Sequence, residues 1–250
     1  MTWNVVLGIL STVAMFVPAA IIVIMRLYCH KSFVALFIYY ILSLVYNLLL
    51  TAHFITLDHE LVRKAGVMVH LLDAPLTLAF LLFFSGTALL AKRIKIFIAV
   101  FVLFELIILV TYNFTREAIN YIMGPGILLI VVLSFIFFFR LIRITIIRRK
   151  RMGKVLMISS ILFTYGSVSL VYFFYYILKT KYVSDTFLIY FLVTIFSSLL
   201  MSTGLLIEKN RIRKLSELKI TRKELSIVFG NNGKAAQSQN RAARWRTKNV

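Results

Sequence analysis

The chain has 250 residues, 61% of them hydrophobic and only 15% charged, with a formal net charge of +20. A soluble domain has nearer a quarter of its residues charged, so soluble folds are excluded; 3 prolines and 10 glycines exclude collagen-like and disordered chains as well. One cysteine leaves no disulfide framework and no cysteine-based zinc or iron–sulfur site. The class that remains is all-α: a polytopic integral membrane protein.

A helix needs roughly 20 apolar residues to span a bilayer core of about 30 Å. Seven stretches meet that length: 4–25, 33–56, 66–91, 95–112, 121–142, 155–178 and 186–207. None alternates like a strand, so helices are expected throughout. The first stretch has no basic residue before it, whereas Arg26 and Lys31 follow it. That charge order reads as a membrane helix with its N-terminus outside, not as a cleaved signal. The segment Gly124-Pro125-Gly126 reads as a flexible start to the fifth helix. Ser198 and Ser202 on the seventh read as a close helix contact.

Basic residues set the orientation. With seven spans, Arg26 and Lys31, then Lys92, Arg93 and Lys95, then Arg140, Arg143, Arg148, Arg149, Lys150, Arg151 and Lys154 fall on the same side as the basic tail from Glu208 onward. Only Arg63, Lys64, Arg116, Lys179 and Lys181 fall on the other. The positive-inside bias then predicts an outside N-terminus and a cytoplasmic tail, in a plasma membrane or bacterial inner membrane. The tail, 208–250, is expected to begin with an interfacial amphipathic helix over 209–229 and to be disordered beyond the Gly230-Asn231-Asn232-Gly233 break. Cations beside a membrane lie against anionic headgroups at about 1 kcal/mol each, which favours lipid over nucleic acid as their partner. Arg143, Arg148, Arg149, Lys150 and Arg151 are the candidates for lipid or an acidic protein partner.

Ionisable residues inside a span are costly and therefore candidates for function. Asp73 in the third helix and Glu105 in the fourth both lie roughly 10 Å below the outer end of their spans, and Asn47 in the second about 13 Å below, at 1.5 Å of rise per residue. These three share one layer. His53 and His70 lie one turn above it; His70 and Asp73, three apart, share a face. Tyr172 and Thr194 can join from the sixth and seventh helices. Asparagine and histidine often only link membrane helices, so Asn47, His53 and His70 each have a structural reading too. Two carboxyls are less easily explained by packing.

Several chemistries are expected to be absent. A retinal Schiff base needs a lysine on the seventh helix, and 186–207 has none, so no such cofactor is expected. Leu89-Leu90-Ala91 stands where G-protein-coupled receptors end their third helix with Asp-Arg-Tyr. No histidine follows His70, so the late histidine pair of membrane zinc hydrolases is missing and no metal is expected. No catalytic set is recognisable. The expectation is a receptor-like or regulatory sensor with an outer pocket for a small ligand, a cation or protons. A proton- or cation-coupled transporter or channel is the alternative; a membrane metallohydrolase or an accessory subunit of a membrane complex ranks below both.

Overall fold

A computed structural model describes residues 3–29, 31–51, 59–113, 115–148, 151–173 and 189–209, with a few helical residues between 211 and 225. Seven helices among them are long and apolar enough to cross a membrane. They are α1 (Trp3–Ile24), α2 (Lys31–Thr51), α3 (His59–Leu81), α4 (Ala88–Tyr112), α5 (Arg116–Arg148), α6 (Met152–Tyr172) and α7 (Ile189–Lys209). Residues Met1–Glu208 form one compact unit and Lys209–Val250 a second. In the second unit Arg211, Glu217, Leu218, Ile220, Thr221, Glu224 and Leu225 are helical, and the rest of the expected 209–229 helix lies outside the described residues.

Consecutive helices pack as neighbours from α1 to α6, and α3 also packs against α5. The bundle's interior is filled by Phe33, Phe80, Phe137, Leu78, Ile130 and Met157. Its exterior is as apolar as its core: Val110, Ile24, Ile146 and Ile147 are 72–83% exposed. In water such a continuous apolar surface would drive association.

Local sequence explains where the helices end. After α3 the chain makes a short 3-10 turn over Leu82–Phe84, and the Ser85 hydroxyl donates to the Leu82 carbonyl at 2.7 Å. Thr87 then caps α4, its side chain accepting from the Leu90 amide at 3.3 Å. This cap starts α4 at Ala88 rather than at Lys95, so Lys92, Arg93 and Lys95 ride exposed on its first turns. Thr115 similarly accepts from the Ala118 amide, and α5 starts at Arg116 instead of 121. Gly124, Pro125 and Gly126 therefore lie within α5. All 3 prolines, Pro18, Pro75 and Pro125, are inside helices. Membrane bundles tolerate them because neighbouring groups re-satisfy the freed carbonyls.

α6 and α7 cross at glycines. A Cβ on Gly153 would stand 2.8 Å from the Gly204 carbonyl oxygen, and one on Gly204 would stand 2.9 Å from the Gly153 carbonyl oxygen. Backbone meets backbone here. Further along the same seam the Ser160 hydroxyl donates to the Ser197 carbonyl at 2.7 Å, and Ser202 donates to Ser198 within α7.

Candidate functional site

The centre of the site is a carboxyl held between two helices. The Tyr165 hydroxyl on α6 donates to Asp73 Oδ1 on α3 at 2.7 Å. The same phenol oxygen lies 2.7 Å from Thr77 Oγ1, one turn further along α3. A phenol has one hydrogen, and here it goes to the carboxyl, so Thr77 donates to Tyr165. Pro75 lies between the two α3 positions and lacks the amide that would bond the Leu71 carbonyl.

Two more helices bring phenols to this level: Tyr39 on α2 faces Tyr165, and Tyr190 on α7 is 38% exposed. Thr194, buried on α7, sits one turn below Tyr190 and faces its hydroxyl. From α4 comes Glu105, only 2% exposed. Its Oε1 atom is buried without a hydrogen-bond partner. Gly126 explains how α5 can close behind the acids: a Cβ there would lie 3.0 Å from the Phe101 ring and 3.2 Å from Ala74 Cβ. Phe101 is one turn before Glu105 on α4, and Ala74 follows Asp73 on α3.

The other expected residues are placed as follows. His70 is half-buried one turn from Asp73, with its ring edge-on to Tyr46 of α2 at 5.8 Å. Asn47 is 1% exposed, and its amide nitrogen donates to Ser11 and Thr12 of α1, both at 3.0 Å. That side chain ties α1 to α2. Tyr172 donates to the Asn120 carbonyl at 3.1 Å and packs over Gly124, joining α6 to the first turns of α5. His53 lies outside the described residues, as do Arg149 and Lys150. Arg143 is exposed near the end of α5, where Arg148 is the last residue. Arg151 precedes α6 in a left-handed conformation with φ of 85°.

The sequence did not single out Tyr39, Thr77, Tyr165 or Tyr190. Their only sequence signal is that each is a polar residue in a long apolar run, which many belt or packing residues share. Glu208, by sequence the first residue of the tail, is 2% exposed, its backbone and Cβ within about 3 Å of where a Gly153 Cβ would stand. A seam of hydroxyls also runs below the acids. The Tyr40 hydroxyl faces Ser160 and Ser198, which adjoin Ser197 and Ser202.

A separate groove of about 450 Å³ opens among α5, α6 and α7, with Phe138, Leu162, Phe163, Gly166 and Leu200 in its walls. It shares no residue with the acidic cluster. Among the described residues no group of three His, Cys, Asp or Glu side chains comes together to hold a metal ion. Seven membrane-length apolar helices with Glu105 and Tyr165 buried among them suggest a multi-pass membrane protein. No family model, no curated protein and no solved structure matches the chain.

Proposed function

We propose that the protein is a receptor-like membrane sensor whose Asp73–Glu105 site takes up a small cation or protons in the outer half of the membrane. One observation carries the reading: Asp73 on α3 is hydrogen-bonded by Tyr165 while Glu105, buried on α4, has an oxygen without a partner. An orphaned buried carboxyl oxygen costs about 1–3 kcal/mol or more, a cost that a proton or cation on Glu105 would relieve. The orientation follows from charge. Lys92, Arg93, Lys95, Arg140 and Arg143 are exposed at the end of the bundle where α1 and α7 also finish. Positive-inside bias puts that end in the cytoplasm, against anionic headgroups or an acidic protein partner, and the acids towards the opposite face.

Transport is the second reading, and the hydroxyl seam through Tyr40, Ser160, Ser197, Ser198 and Ser202 favours it. The seam meets an apolar stop. Leu205, 0% exposed, lies between Ser202 and the buried Glu208 on α7, and Met157 of α6, also 0% exposed, packs beside Gly204. An ion or proton crossing there would need those side chains to move apart, and the sensor reading needs no such passage.

The deciding experiment reconstitutes the protein in sealed vesicles and measures binding and flux together. Saturable cation or proton uptake by the site without flux, lost in Asp73→Asn and Glu105→Gln, supports a sensor. Solute or proton flux lost in the same variants turns the assignment to a transporter, and wild-type behaviour in both variants reduces the site to packing.

A further inference from the structure

Gly86 sits in the turn between α3 and α4, and its φ is not left-handed, so the backbone there does not call for glycine. Arg140 of α5 fills the place of a side chain. A Cβ on Gly86 would stand 2.8 Å from Arg140 Nη2, 3.3 Å from Cζ and 3.6 Å from Nη1. The guanidinium therefore lies against the turn, while Arg140 and Gly86 both stay exposed. That contact restrains a flexible side chain before any ligand arrives, which preorganises its fork of donors.

More positive charge gathers beside it. Thr87 follows Gly86 and caps α4, and Lys92, Arg93 and Lys95 are exposed on the first turns of that helix. The amino end of α4 adds the positive pole of its dipole. No acid accompanies these cations along the chain, for none stands between Asp73 and Glu105 or between Glu117 and Asp185. Apolar side chains interleave with them: Leu89 and Ile96 are 61% and 54% exposed, and Val100 and Leu103 continue the exposed apolar surface along α4. A ligand matching this surface carries negative charge at one end and hydrocarbon at the other. That describes a phospholipid, not a soluble anion or an acidic protein loop. The headgroup follows from charge and oxygen count. A phosphate monoester carries about −1.5 to −2 charge at pH 7 and three acceptor oxygens. The Arg140 fork can take two of them in parallel, leaving the third for the lysine and arginine of α4.

We propose that the α3–α4 turn and Arg140 form a headgroup site for a phospholipid ending in a phosphate monoester. The phosphate lies against the Arg140 guanidinium and the start of α4, and the acyl chains run along the exposed apolar side of α4. The inference names a specific lipid class for the basic end of the bundle, and it rests on the orientation proposed above only for which leaflet supplies that lipid.

The test uses the full chain in neutral detergent micelles, where orientation plays no part. Phosphatidic acid, phosphatidylglycerol and phosphatidylserine are added in turn, and bound lipid is counted by native mass spectrometry. The expected result is one phosphatidic acid per chain, held about tenfold more tightly than either diester. Arg140→Gln should weaken it about tenfold, and Lys92→Gln about fivefold. Gly86→Ala is the sharper variant. Its methyl group meets only the far end of a flexible side chain, so thermal unfolding should stay at the wild-type temperature while the displaced guanidinium loses the preference for phosphatidic acid. Equal affinity for the three lipids overturns the monoester site and leaves a general attraction between cations and anionic headgroups. Wild-type selectivity in both Arg140→Gln and Gly86→Ala overturns the assignment to this turn. Glycerol 3-phosphate binding as tightly as the lipid overturns the lipid in favour of a soluble phosphate. Binding of a polyglutamate peptide with no anionic lipid bound overturns it in favour of an acidic protein. None of these outcomes bears on cation or proton uptake at Asp73 and Glu105, which the vesicle experiment measures separately.

Discussion

Tyr165 reaches from α6 to give its only hydroxyl hydrogen to Asp73 on α3, at 2.7 Å, and receives one from Thr77 a turn away. The contact joins residues 92 positions apart in sequence. It also fixes the rotation of both helices about their axes, since each must present a polar side chain at the same point on the seam. Losing it leaves a carboxyl and a hydroxyl facing each other with nothing between.

Tyr165→Phe removes that hydroxyl and little else. The expected cost is about 1–3 kcal/mol, the range for leaving a buried polar group unsatisfied. Unfolding in detergent measures it, and Thr77→Val serves as the second variant. Because the two side chains share one oxygen, the double variant should lose less than the sum of the singles. Strict additivity would mean that the two contacts act independently.

Asn47→Ala tests the opposite assignment. The Asn47 amide nitrogen donates to Ser11 and Thr12, which ties α1 to α2. Hydrogen bonds between membrane helices average about 0.6 kcal/mol, so losing these two should cost about 1 kcal/mol. Cation or proton uptake by reconstituted vesicles should stay at its wild-type level. A variant with normal stability and no response would instead return Asn47 to the site.

These two cases mark how far the sequence could be read. Length and composition identify seven apolar spans, since hydrocarbon thickness constrains length and little else. Depth along a span is legible too, because helical rise is constant. Rotation about the helix axis is not legible in spans that are apolar all round. Asn47 turns its amide nitrogen to Ser11 and Thr12 of α1, the helix-linking role, and Tyr165 faces Asp73 with no mark in the sequence to distinguish it from belt tyrosines. Glu208 escaped notice because it ends an apolar run and begins a basic one, where an acid normally finds water.

Topology is open to a direct check. Protease added outside intact cells or right-side-out vesicles should remove an epitope at the N-terminus and spare one on the tail. Inverted vesicles should give the reverse. The reverse pattern in right-side-out vesicles would place the basic ends of α4, α5 and α6 on the wrong side for the positive-inside bias, and the acidic site with them.

The glycines of α6 and α7 give the sharpest contrast in stability. A Cβ at Gly153 would stand 2.8 Å from the Gly204 carbonyl oxygen and 2.9 Å from the Glu208 backbone nitrogen. Backbone atoms cannot step aside as a flexible side chain can, so Gly153→Leu must push the helices apart. Separation would also strip packing from Met157, Met201 and Leu205, which are 0–2% exposed at this crossing. The loss should exceed the 1–3 kcal/mol usual for overpacking, and folded yield should fall sharply. Gly166, thirteen residues along the same helix by its number, has nothing within 4 Å of its would-be Cβ. Gly166→Ala meets no neighbour and gains helix propensity, so stability should be unchanged or rise by up to about 1 kcal/mol. Thermal unfolding of the two variants side by side in detergent reads the difference. If Gly166→Ala proved as damaging as Gly153→Leu, Gly166 would need a contact from outside this bundle to account for it.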